Sequence, residues 1–172
     1  MKPSVWITSA SFILFLLAPL FATGGEKKLT QDEEFFKTAA SAGFAEVKTS
    51  QYAEKNGNNE KVRDLAAHLV KEHTDLNKKL TENAKGLKVA VVVGFEKDRK
   101  AKYDRLTKLE GAAFDRAYLK QLIEGHKESI KLFETQAREG KHEELRTFAN
   151  DTLPQLRKHL KKAQETAEAV NQ

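Results

Sequence analysis

Apolar and small residues recur at three- and four-residue steps through four long stretches of the chain, which is the period of a helix that buries one face. The first stretch carries Phe35, Ala39, Ala42 and Ala53; the second carries Val62, Leu65, Ala66, Leu69, Leu76 and Leu80. In the third the stripe is Phe114, Tyr118, Leu122, Ser129, Phe133 and Ala137, and in the fourth Leu145, Ala149, Thr152, Leu156 and Ala163. One titratable side chain interrupts each stripe: Glu46, His73, His126 and His159. Ionisable groups rarely lie on a core-facing stripe unless something pairs or ligates them.

Local signals punctuate the four segments. Thr30-Gln31-Asp32-Glu33 reads as a capping box, in which a hydroxyl and a carboxylate satisfy each other's backbone N–H groups at the start of the first helix. Asn56-Gly57-Asn58-Asn59 ends that helix, and Asn59 can cap the next. Gly86 stops the second helix, while Gly111 and Gly140 bracket the third. Pro154 lies inside the fourth and predicts a kink about one turn before His159. The long connection from Gly86 to Gly111 holds a valine-rich run, Val89 to Val93, and a charged stretch from Glu96 to Leu109 that predicts a minor helix. A lone strand there would have no sheet to join. Two tight hairpins joined by a long connection give an all-α, ferritin-like four-helix bundle with one long crossover between helices two and three.

Counting along the hairpins places the polar residues. In an antiparallel hairpin, residues equidistant from the turn lie side by side. The midpoint of Glu46 and His73 falls between Asn59 and Glu60, and that of His126 and His159 between His142 and Glu143, at the two turns. At a rise of ~1.5 Å per residue, each pair lies roughly 20 to 25 Å from its turn. All four groups therefore meet within about one turn of a common level, whichever way the hairpins are joined.

Three imidazoles and one carboxylate suit a single divalent transition-metal ion. The alternative is a buried hydrogen-bond network in which Glu46 pairs with a protonated histidine, a device that also specifies one bundle arrangement. A di-iron centre needs four carboxylates and a Glu-x-x-His on each of two helices. The one such match, Glu139-Gly-Lys-His142, falls on a turn. Glu134 and Asp151 form a second level pair, read as solvated carboxylates at the bundle flank. His68 shares the wet face of its helix with Asp64, Glu72 and Asp75, and His142 sits in a turn; both are read as surface residues.

The amino terminus changes the setting. Lys2 precedes a largely apolar run from Val5 to Phe21 that ends in Ala22-Thr23-Gly24, the pattern of a secretory signal peptide over residues 1–24, with the bundle occupying 25–172. A retained membrane anchor is the alternative, although the run is at the short end of the ~20 residues a span requires. Cysteine is absent, which removes disulfides and thiol chemistry and leaves the core to hold the fold. Charged residues make up 32% of the chain with a net charge of +5, and the two signs are interspersed, as on a solvated helical surface. No nucleic-acid partner is expected, because basic clusters at Lys97 to Lys102 and Arg157 to Lys162 come without a groove-reading motif. Those clusters fit an envelope polymer, a membrane surface or a protein partner.

Several segments together resemble one family: Leu109-Glu-Gly-Ala-Ala-Phe-Asp-Arg-Ala-Tyr118, His126 with Phe133-Glu134, Thr152-Leu-Pro-Gln-Leu-Arg-Lys-His159, and, in the first hairpin, Ala45-Glu46-Val47 and Glu72-His73. They are similar to an exported bacterial family known as domain of unknown function 4142, often labelled outer membrane proteins. The resemblance runs from about Thr30 to Ala167. It implies a ferritin-like fold and a place in the periplasm or cell envelope, and it supplies no activity and no catalytic residue. Where that family usually has a Leu-Pro pair in the crossover, this chain has Lys88 to Val93. The expectation is an exported protein that binds a transition-metal ion or a small ligand at a Glu/His centre, or a structural or interaction protein with a buried network, in preference to an enzyme.

Overall fold

Thr30 opens the first helix as the capping box requires: its hydroxyl accepts from Glu33 N at 3.2 Å, and the Glu33 carboxylate accepts from Thr30 N at 2.8 Å. The computed structural model describes residues 29–91 and 93–170, so the expected signal segment lies outside the described residues. Five helices follow in order: α1 (Gln31–Asn56), α2 (Glu60–Gly86), α3 (Lys97–Leu106), α4 (Gly111–Glu139) and α5 (Glu143–Val170). This is the all-α, ferritin-like four-helix bundle, with α3 as the minor helix of the crossover. Among the described residues no helix is long and apolar enough to cross a membrane. α5 remains helical through Pro154.

Each hairpin turn is clasped by an aspartate from the other hairpin. Asp32, at the start of α1, is buried and accepts from Lys141 N at 3.1 Å and His142 N at 3.2 Å in the α4–α5 turn. Asp115, at the start of α4, is buried and accepts from Asn58 N at 2.9 Å and Asn59 N at 2.8 Å in the α1–α2 turn. An arginine one turn into the next helix locks the far side of each loop: Arg63 donates to the Gly57 and Asn58 carbonyls, and Arg146 to those of Gly140 and Lys141. The glycines are required by close approach. A Cβ on Gly57 would lie 2.7 Å from the Ala53 carbonyl, and one on Gly140 would lie 2.7 Å from the Gln136 carbonyl. The clasps repeat in the sequence, Gly57-Asn-Asn-Glu60-Lys-Val62-Arg63-Asp-Leu65-Ala66 against Gly140-Lys-His-Glu143-Glu-Leu145-Arg146-Thr-Phe148-Ala149.

These contacts set the topology. The N-terminus of α1 meets the α4–α5 turn and the N-terminus of α4 meets the α1–α2 turn, so the turns point to opposite ends. α1 packs on α2 and α4, and α5 on α4 and α2, every neighbour antiparallel. The crossover must then travel the length of the bundle, and it does so along α1. Val89 and Val91 pack on the apolar cluster at one end. Farther along, Ser41 Oγ accepts from Glu96 N, Phe44 meets Phe95 edge-on, and Tyr52 donates to the Thr107 carbonyl near the other end. Val89 and Val91 thus form a packed connection, and the described residues of this run are not a strand.

The core is in two parts. One cluster gathers Phe35, Phe36, Leu76, Leu80, Phe133, Leu145 and Leu153 at the end of the α4–α5 turn. The other gathers Val62, Leu65, Leu69, Phe114, Tyr118 and Leu119 at the end of the α1–α2 turn. The interrupted stripe positions lie between them. An apolar core thus seals a polar layer from both ends of the bundle, which raises the cost of any group there that lacks a partner.

Candidate metal centre

The four residues expected to meet do meet. His73 Nε2 lies 3.0 Å and His126 Nε2 3.4 Å from Glu46 Oε1, and His73 Nε2 lies 3.1 Å from His159 Nδ1. One nitrogen from each of His73, His126 and His159 lies within 4.8 Å of the others. All three imidazoles are buried, and the Glu46 side chain is 14% exposed. α1, α2, α4 and α5 contribute one group each.

Bonds on the outer side of two rings decide which atoms face inward. His126 Nδ1 stands 3.1 Å from the Leu122 carbonyl, one turn back on α4. A carbonyl only accepts, so the ring donates there, and in the neutral ring Nε2 is the nitrogen that carries the electron pair, turned toward Glu46. His159 Nε2 stands 2.5 Å from Glu72 Oε2. Donation to that carboxylate leaves Nδ1 as the pair-bearing nitrogen, again facing inward. A second group that fixes the tautomer and aims the other nitrogen is what metal-ligating histidines usually have.

Glu46 Oε1 and His126 Nε2 are buried atoms without a hydrogen-bond partner among the described residues: their separation is right for an ion pair, the alignment for a hydrogen bond is not. An ion held by nitrogen and oxygen at ~2.0–2.1 Å in a tetrahedron spaces its ligand atoms by roughly 3.3 Å. The contacts at 3.0, 3.1 and 3.4 Å are three edges of that size, and the group whose ligand atoms all lie within 4.8 Å of one another is the three imidazoles, with Glu46 reached through His73 and His126.

Electrostatics follow from burial and proximity. Burial pushes the Glu46 carboxyl up, but the fields of His126, His73 and His159 outweigh it and lower it to about 2. Burial works against a charge on His73, and the neighbouring Glu46 carboxylate more than reverses that, so its pKa is raised. For His159 burial prevails, reinforced by the like charges of His73 and His126 against the opposing pull of Glu72; its pKa falls to about 4 and the ring is neutral at pH 7. The Glu46 carboxylate and the neutral His159 ring are the states that bind a metal ion, whereas His73, whose charged form Glu46 favours, would release its proton on binding one. A cleft of about 50 Å³ between α1 and α4, lined also by Arg99 and Lys102 of α3, reaches Glu46 from solvent.

Three readings from the sequence need adjustment. Glu72 and His68 are not on a wet face: α5 covers that flank of α2, and both are half-buried beside His159. Gln155 donates to Glu72 Oε2 at 2.9 Å. The signal that could have found this pair is the i, i+4 spacing His68-x-x-x-Glu72, which puts both on one helix face bordering the stripe that carries His73. His142 is half-exposed, yet its Nδ1 is 2.5 Å from the buried Asp32 carboxylate, so it belongs to the turn clasp. Glu134 accepts from Arg157 at 2.8 Å, and Asp151 is exposed.

Comparison with known proteins agrees with the fold. Residues 18–166 match the family described as "Domain of unknown function (DUF4142)". No curated protein matches the sequence. Among solved structures, the chain is similar to "CopM in the Cu(I)-bound form", with a TM-score of 0.67 at 15% identity over 83% of this chain and 98% of that one. It is also similar to a "DUF305 fragment from Deinococcus radiodurans", with a TM-score of 0.71 at 11% identity over 82% of this chain and 97% of that one. At such identities the likeness concerns the fold alone.

Proposed function

We propose, for a chain that belongs to the DUF4142 family, a non-catalytic binding protein of the bacterial envelope that holds one divalent transition-metal ion between Glu46, His73, His126 and His159. The observation that carries this reading is the aim of the rings. Leu122 and Glu72 hold the outer nitrogens of His126 and His159, so that His126 Nε2 is turned toward the buried Glu46 oxygen and His159 Nδ1 toward His73 Nε2. Two apolar clusters flank the layer that holds Glu46, so a partner within that layer counts for more than it would at the surface.

The donor set supports a divalent ion of borderline character, such as zinc or copper(II). The chain has no cysteine and its one methionine is Met1, so no soft sulfur set of the kind that selects copper(I) is at hand. The Cu(I)-bound form of CopM is compatible with metal binding in this fold, and lends no more than that at 15% identity. Export is supported by the apolar run from Val5 to Phe21, and contact with an envelope polymer, membrane or protein by the basic clusters.

A second reading is favoured by the hydrogen bond between His73 Nε2 and His159 Nδ1, which lets the group close on itself as a metal-free network that fixes the bundle's arrangement. Elemental analysis of protein purified without a histidine tag separates the two. Stoichiometric metal in the parent, lost in both His73→Ala and His126→Ala, supports the ion. A metal-free parent that stays metal-free after incubation with zinc, with both variants destabilised, leaves the network.

A further inference from the structure

His159 presents both ring nitrogens to ligand-type groups. Nδ1 faces the inner centre, 3.1 Å from His73 Nε2, while Nε2 faces the flank between α2 and α5, where Glu72 Oε2 lies 2.5 Å away. The other carboxylate oxygen, Glu72 Oε1, is 3.2 Å from His68 Nε2. One donor atom from each of His68, Glu72 and His159 thus lies within 4.8 Å of the others. His68 and Glu72 are a turn apart on α2, and the hydrogen bond from Gln155 at 2.9 Å holds the carboxylate between the two rings. Unlike the inner histidines, His68 and Glu72 are partly exposed, while His159 stays buried.

A cation already stands against these donors. The Lys162 ammonium is 3.1 Å from His68 Nε2, so that nitrogen offers its electron pair outward while its neighbour Glu72 supplies negative charge. The groove beyond, lined by Lys61, Asp64, Leu65, His68 and Lys162, opens the site to water. Two imidazoles and a carboxylate with solvent in the remaining position make a three-ligand, open metal site.

We propose that His68, Glu72 and His159 Nε2 form a second, solvent-facing site for a divalent transition-metal ion, joined to the inner ion through the His159 ring. The proposal rests on the inner-centre reading, because only with an ion on Nδ1 does the ring become a bridge. When the outer ion binds, it takes the Nε2 electron pair, the ring proton leaves to solvent, and the Lys162 ammonium swings away from His68. The ring is then an imidazolate with an ion on each nitrogen.

Copper(II) is the probe, titrated into chelator-stripped protein while bound copper per chain and the electron paramagnetic resonance spectrum are followed. Two ions per chain are expected, and the spectrum of isolated copper(II) is lost as the second ion binds, because two ions on one imidazolate couple their spins. His68→Ala should bind one ion per chain and keep the ordinary uncoupled spectrum, and Glu72→Gln should do the same without altering the fold measured by circular dichroism. Lys162→Ala should tighten the second ion several-fold, an effect that a purely structural role for these residues would not produce. One ion per chain in parent and His68→Ala alike overturns the proposal and leaves the inner site standing. Two uncoupled ions that survive His68→Ala, marking surface copper, also overturn it. No copper in the parent removes the inner reading as well.

Discussion

Replacing Glu46 with glutamine keeps the side chain's shape and removes its charge from a point 3.0 Å from His73 and 3.4 Å from His126. The native state holds the Glu46 carboxyl at about 2 against an ordinary 4.5. At ~1.4 kcal/mol per unit, that is about 3 kcal/mol in favour of the folded, ionised form. Because the folded value is depressed, this contribution is complete above 4.5 and disappears as pH falls through 2. Glu46→Gln should therefore destabilise the metal-free protein by up to about 3 kcal/mol at pH 7. The second consequence concerns the ion. At a zinc concentration of about 100 times the parent's Kd, bound zinc stabilises the fold by about 2.7 kcal/mol. Loss of one ligand that weakens binding ~100-fold leaves about 0.4 kcal/mol at the same zinc concentration. Urea unfolding in EDTA reads the first quantity, and the shift on adding zinc reads the second. A Glu46→Gln protein that unfolds at the parent's midpoint in EDTA and keeps the whole zinc shift would refute both the electrostatic argument and the ligand role.

Acid should act through His159. Its folded pKa of about 4 lies below the ordinary 6.5, so the unfolded chain takes up this proton first; stability is full above 6.5 and declines by about 3 kcal/mol as pH falls to 4. His73, raised in the fold, contributes its share throughout that window, so it does not mask the trend, and below 4.5 the loss continues as Glu46 and Glu72, each lowered to about 2, become protonated. A urea midpoint that stays flat between pH 6.5 and 4 in the metal-free protein would contradict a neutral, buried His159. Asp115→Ala removes the acceptor of two backbone N–H groups in the α1–α2 turn, a loss of about 2 kcal/mol or more at ~1 to 3 kcal/mol for each unsatisfied donor. Asp115→Asn keeps one oxygen and should recover about half; equal stability of parent and Asp115→Ala would remove the clasp from the account.

Much of this molecule follows from local rules. Stripe period, the Thr30 capping box, the glycine stops and the tight turns are properties of a few neighbouring residues, so they define α1, α2, α4 and α5 without reference to the rest of the chain. The meeting of Glu46, His73, His126 and His159 is nearly as local, since an antiparallel hairpin turns depth into counting and two hairpins packed side by side share one middle. Helix rotation about its own axis is another matter. Whether Glu72 and His68, at the edge of the α2 stripe, lie in water or against His159 depends on how closely α5 packs there, and both hairpins must dock before that flank closes. The same holds for Asp32 and Asp115, which read as ordinary first-turn acids until the opposite hairpin's turn delivers its N–H groups. The repeated Gly-x-x-Glu-x-x-Arg segments were visible in the chain, but their partners are remote in sequence. Which nitrogen points inward has a local cause for His126, a carbonyl one turn back on its own helix, but for His159 it is set by a carboxylate on another helix and exists only once the bundle is assembled.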